Sequence, residues 1–121
     1  MVLNYASLVR KFRLAPQTQC DSEVLGLLIH RFPGALGLRA ARAAEAVEGP
    51  LAVLGLWRNP ARLLIVRRGN PLCFGETGGG FYFGSLPEEL PRPVTSIKDH
   101  YAGVLTYSED DLWHQAFAIR R

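Results

Sequence analysis

The sequence predicts an α+β domain in which helices pack on an antiparallel sheet. Helical spacing of apolar residues is confined to the first 47 positions, whereas short apolar runs fill the chain after Pro50. Turn-forming stretches such as RNPA and SEDD separate those runs, so helices come first and a meander of strands follows.

In NYASLVRKFR (4–13), Tyr5, Leu8, Val9 and Phe12 share one helical face, with Asn4 placed to cap. Ala15-Pro16 ends that helix, because a residue before proline resists helical geometry. Asp21 opens a second helix through Val24, Leu25, Leu28 and Ile29, and Glu23 adds negative charge where the dipole favours it. Phe32-Pro33-Gly34 stops it. A third helix, 36–47, packs through Leu36, Ala40, Ala43, Ala44 and Val47 and ends before Gly49-Pro50.

Strands are expected at LAVLGLW (51–57), RLLIVR (62–67), PLCFG (71–75), GFYFGS (80–85), YAGVLTY (101–107) and WHQAFAIRR (113–121). LPEELPRP between the fourth and fifth runs reads as a surface connection. LAVLGLW and LLIV are continuous rather than alternating, as in strands covered on both faces. The two longer helices can cover one face. Nothing in the chain is an obvious cover for the other, so self-association through the sheet or a second chain is expected there.

Composition bounds the function. At 121 residues the chain makes one domain, 1–121, and its 48% hydrophobic and 21% charged residues are those of an ordinary globular protein. The longest apolar run has seven residues, far short of a membrane span, and the N-terminus lacks the pattern of a signal peptide; a cytoplasmic protein that does not engage a membrane is expected. The net charge is +3, and the 12 arginines and two lysines are scattered without any nucleic-acid-binding motif, so nucleic acid is not the expected partner. Cys20 and Cys73 are too few for a disulfide framework and too far apart for a CxxC metal site; both read as buried thiols.

No constellation announces a catalyst. GETGGGF (75–81) lacks the Lys-Ser/Thr of a phosphate loop and lies between strands, so it reads as a hairpin. His30, His100 and His114 share no ligand spacing, and no metal or cofactor is expected. Trp57 and Trp113 read as core or sheet-face aromatics, and Glu109, Asp110 and Asp111 as a solvated turn. Cys20 has no histidine near it in sequence, and the charge of Asp21 would raise its pKa.

Two stretches nevertheless carry a resemblance. In MVLNYASLVRKF, residues Leu3, Asn4, Tyr5, Leu8 and Arg10 match or nearly match an Asn-Gly-x-Ile-x-Asn-Tyr-x-x-Leu-Arg pattern, and Cys20-Asp21-Ser22-Glu23-Val24 stands where Thr-Asp-Thr/Ser-Glu-Val would, with Cys for Thr. Arg67, Gly69, Pro71, Leu72 and Gly75 then follow Arg-x-Gly-x-Pro-Leu-x-x-Gly, with FYFGS where Phe-x-x-Ala-Ser would stand. In this order the chain, from about residue 2 to 107, resembles the class II (N-terminal-nucleophile) glutamine amidotransferases, most of all the glutaminase domain of glucosamine-6-phosphate synthase.

The resemblance implies the second half of an Ntn-hydrolase αββα sandwich. It also implies a glutamine ligand whose α-amino group is held by Asp21, with Cys20 neighbouring it in place of the usual Thr. A carboxylate that opens a helix could cap with one oxygen and bind an ammonium with the other. The departures matter as much. The family's N-terminal cysteine nucleophile, its oxyanion Asn-Gly and its carboxylate-binding Arg segment find no counterpart in these 121 residues. The resemblance therefore implies an incomplete glutaminase domain, inactive alone and completed by a separate chain bearing an N-terminal Cys. The alternative is a non-catalytic assembly module of the same fold that forms a homo-oligomer through its sheet.

Overall fold

A computed structural model of the chain describes residues 2–58, 61–78, 80–107 and 112–120. It is α+β, with helices α1 (Tyr5–Phe12), α2 (Asp21–Ile29) and α3 (Leu36–Ala46) followed by strands β1 (Leu51–Trp57), β2 (Arg62–Arg68), β3 (Cys73–Thr77), β4 (Gly80–Gly84), β5 (Val94–Ser96), β6 (Tyr101–Tyr107) and β7 (Leu112–Ala118). A single 3-10 turn, Pro87–Glu89, precedes β5.

The strands do not form one meander. They divide into a four-stranded sheet, β1-β2-β6-β7, and a three-stranded sheet, β4-β3-β5, all pairs antiparallel. After β2 the chain leaves the first sheet, builds the β3–β4 hairpin and β5, and returns as β6 beside β2. β5 is the strand missing from the expected set. Its three residues follow Pro91 and Pro93, which hide an extended segment that pairs Val94–Ser96 with β3.

Strand alternation sorts the two faces of the larger sheet. Leu51, Leu64, Val66, Ala102 and Val104 pack against Val24, Leu25, Leu28, Leu36, Ala40 and Ala44 of the helices. Ile65, with Leu63, Tyr101 and Leu105, turns the other way and packs with Leu72, Phe74, Phe83 and Ile97 of the smaller sheet and its approaches. The layers are helices, four-stranded sheet, three-stranded sheet. α3 lies close on β6 and β7 because position 37 is glycine: a Cβ there would come 2.7 Å from Phe117.

This corrects the expectation of a wholly uncovered second face. The smaller sheet covers β2, whose central Leu64, Ile65 and Val66 are all buried. It does not bury the outward residues of β1. There, burial alternates along LAVLGLW, with Ala52, Leu54 and Leu56 exposed, so the continuous apolar run does not mean cover on both faces. Leu54 is paired with Ile65 and Leu56 with Leu63, so their side chains extend the same apolar face out into solvent. Leu56 is 85% exposed.

Candidate functional site

Asp21 and Cys20 stand at the start of α2, and the hydrogen bonds there differ from those expected. Cys20 is the N-cap residue and Asp21 the first helical one; no side chain caps the helix. Asp21 Oδ2 instead accepts a hydrogen bond from the backbone N–H of Val2, at 3.0 Å. Among the described residues its Oδ1 receives no hydrogen bond. The carboxylate keeps the favourable position near the positive end of the helix while directing its bonding capacity outward.

Glu23 holds the segment that precedes the helix. Its carboxylate accepts from Gln17 N–H, Thr18 N–H and the Thr18 hydroxyl at 2.8–3.1 Å. These bonds, that from the Gln17 N–H first, hold its pKa below the usual carboxylate value. The bend at residues 17–19 is thereby tied to α2 rather than free.

Cys20 is exposed, not buried; of the two cysteines only Cys73 is in the core, its thiol donating to Gly84 O at 3.2 Å. The Cys20 Sγ lies 2.9 Å from Ser22 Oγ. That hydroxyl, helped by the N–H groups of Ser22 and Glu23, lowers the thiol pKa and outweighs the opposing charge of Asp21. The sequence-based expectation of a raised pKa counted Asp21 and missed the donors.

Asn4 is displaced from its expected role in the same way. Its side chain makes no cap on α1; its amide donates to Ala46 O and accepts from Glu48 N–H, both at 2.9 Å. With Leu3 N–H donating to Glu48 O, the start of the chain is laced to the link between α3 and β1. Val2, Asp21 and Leu51 are thereby brought together.

The result is an open cleft of about 530 Å³ lined by Val2, Cys20, Asp21, Ser22, Leu51 and Asn70, with Ala52 and Val53 of β1 at its side. Asp21 is the carboxylate that lines it, and among the described residues no Lys or Arg does. Such a cleft is suited to a ligand ammonium. Among the described residues it offers no Lys or Arg for a ligand carboxylate.

The other residues singled out by sequence lie elsewhere. Arg67 donates to the carbonyls of Asn70 and Ile97, and Asp99 Oδ1 accepts from Gly69 N–H at 2.8 Å, closing the turn by which the chain passes from β2 to β3. The Arg-x-Gly-x-Pro-Leu pattern thus has a structural account here. GETGGGF is the β3–β4 hairpin, with Thr77 paired to Gly80. His30 stacks loosely on Trp57 (6.3 Å between ring centroids), while His100 sits beside Asp99; the side chains of Trp113 and His114, and residues 109–111, lie outside the described residues. Among the described residues no group of His, Cys, Asp or Glu could hold a metal ion, and no helix is long and apolar enough to cross a membrane.

No family model matches the chain, and no curated protein matches it by sequence. Solved structures do match. The glutamine phosphoribosylpyrophosphate (PRPP) amidotransferase from B. subtilis, complexed with ADP and GMP, superposes with a TM-score of 0.72 at 18% identity, over 98% of this chain and 28% of its own. A structure described as the allosteric regulatory enzyme of purine biosynthesis gives 0.70 at 18% identity, over 98% and 27%. This chain therefore spans little more than a quarter of the length of either. Over nearly all its residues, it has the fold of part of a glutamine PRPP amidotransferase.

Proposed function

We propose that this chain is the glutamine-binding part of a class II-type glutaminase domain, which releases ammonia from glutamine only when a separate chain supplies the nucleophile. The observation that carries the reading is Asp21: a carboxylate in an open cleft with one oxygen held by Val2 N–H and the other without a donor among the described residues. A charge-assisted bond from that second oxygen would hold the ligand's α-ammonium. The shared fold supports the class, and the sequence motifs support the finer likeness to the glucosamine-6-phosphate synthase glutaminase domain.

The division of labour follows from what the cleft lacks. Cys20 is internal, so it has no α-amine of its own to act as base. With no Lys or Arg lining the cleft among the described residues, the glutamine carboxylate would be held by the partner chain. A partner chain beginning with Cys would bring the nucleophile and its amine: the amine would take the thiol proton as sulfur attacks the side-chain amide and return it to the departing ammonia, leaving a thioester that water hydrolyses to glutamate.

The test is ammonia release by the assembly recovered from the source cells through a tag on this chain. L-Glutamine should be hydrolysed and N-acetyl-L-glutamine, which has no ammonium, should not. Release from neither by the intact assembly would overturn the reading. The exposed Leu54 and Leu56 favour a second reading, a non-catalytic module that self-associates through its sheet; a homo-oligomer indifferent to glutamine would establish it.

A further inference from the structure

The larger sheet ends at β1, which pairs with β2 on one side and with no strand on the other among the described residues. Natural edge strands are usually blunted by lysine, proline, a bulge or a covering loop. β1 has no charge and no proline between Leu51 and Trp57, and all seven of its residues pair with β2 in unbroken register. Its outward face carries Leu54, 45% exposed, and Leu56, 85% exposed. Beside Leu56 an apolar groove of about 620 Å³, floored by Leu63, Phe81 and Leu105, runs between the two sheets.

This edge is continuous with the candidate site. Leu51, Ala52 and Val53, the first residues of β1, form the side of the cleft that contains Asp21 and Cys20. A strand added here would cover Leu54 and Leu56 with one half and pass the Asp21 cleft with the other.

We propose that the open edge of β1 is where the nucleophile-bearing chain docks, adding a strand whose end opposite Leu51–Val53 lies at the cleft. The inference rests on the functional reading above and assigns its interface. Backbone pairing would supply much of the affinity, and apolar residues at alternate positions would cover Leu54 and Leu56. Geometry disfavours a second copy of this chain as the occupant. In an isologous antiparallel pairing, the Trp57 end of the copy meets the Leu51 end of the first, carrying the exposed Arg58 to the mouth of the cleft. An arginine there would compete for Asp21 with the ammonium.

The experiment is native mass spectrometry of tagged chain purified from its own cells, with sequencing of the partner's N-terminus and amide exchange across β1. Wild type and Asp21→Ala should both recover a heteromer whose partner begins with Cys, with the β1 amides protected by it. Leu54→Lys combined with Leu56→Lys, substitutions at exposed positions, should lower the recovered partner at least tenfold while the variant melts at the temperature of the wild type. If the double variant retains the partner fully and ammonia is still released, the docking surface is wrong and the functional reading stands. If the edge binds a partner that gives no glutamine hydrolysis, the functional reading fails and the assigned occupant with it. A homodimer broken by the same two lysines, or no partner at all, overturns the proposal.

Discussion

Cys20 shows how far a local hydroxyl and a few backbone N–H groups can reset a side chain. Its thiol is lowered mainly by Ser22, so alkylation by iodoacetamide should be faster at Cys20 than at buried Cys73 in the folded protein. Ser22→Ala should move the pH–rate profile of Cys20 to higher pH; an unmoved profile would remove Ser22 as the cause. Glu23 supplies a second residue-scale prediction. Because its folded pKa is lowered, chiefly by Gln17 N–H, its contribution to stability is present above its unfolded pKa, about 4, and is lost as pH falls through the lowered folded value. Melting curves of wild type and Glu23→Gln should therefore differ at neutral pH and converge in acid. Sequence placed Asp21 at a helix start but not its bond to Val2, 19 residues away, nor the bonds of Asn4 to residues 46 and 48. Short polar residues before a helix have local partners as their default expectation. Here, distant backbone groups supplied by tertiary packing are the partners.

At the scale of elements, the three helices appear within a residue or two of their expected bounds, because apolar spacing and proline or glycine stops are local signals. The division of the strands into two sheets is not local. It depends on the turn after β2, where Arg67 and Asp99 bond to carbonyl and N–H groups of neighbouring loops. Gly75 belongs to the same arrangement: a Cβ there would sit 2.0 Å from Pro91 O, against backbone that must also carry β5. Gly75→Ala should destabilise by roughly 1–3 kcal/mol or more by overpacking, read from denaturant midpoints; a neutral result would mean that β5 can shift away. Arg68 was invisible to sequence reasoning as anything but a strand residue. Its guanidinium bonds to the carbonyls of Ala44, Val47 and Gly49 at 2.5–2.6 Å, closing the C-terminal end of α3 with a cation where the dipole favours one. Partial burial lowers its pKa, opposed by the charge of Asp99. Arg68→Met should cost about 2–3 kcal/mol, the scale of charge-assisted bonds whose partners are left unmet; an unchanged denaturant midpoint would remove Arg68 as the lock on α3.

For the whole molecule, the sequence anticipated a sheet face needing cover, and the structure narrows the need to one strand. The smaller sheet buries the outer face of β2 and packs on Tyr101 and Leu105 of β6, leaving Leu54 and Leu56 of β1 exposed, while the start of the same strand, Leu51–Val53, lines the Asp21 cleft. On the proposed reading, a cleft that offers a carboxylate to an ammonium, but no Lys or Arg among the described residues, would be completed by another chain beside it. The most direct test is steady-state ammonia release by the native assembly carrying Asp21→Asn, which keeps the shape and an acceptor for Val2 N–H but removes the charge. Loss of a charge-assisted bond of about 1.5–3 kcal/mol corresponds to a KM for glutamine raised roughly 10- to 100-fold, with kcat changed much less. A KM equal to that of the wild type would show that Asp21 does not hold the substrate.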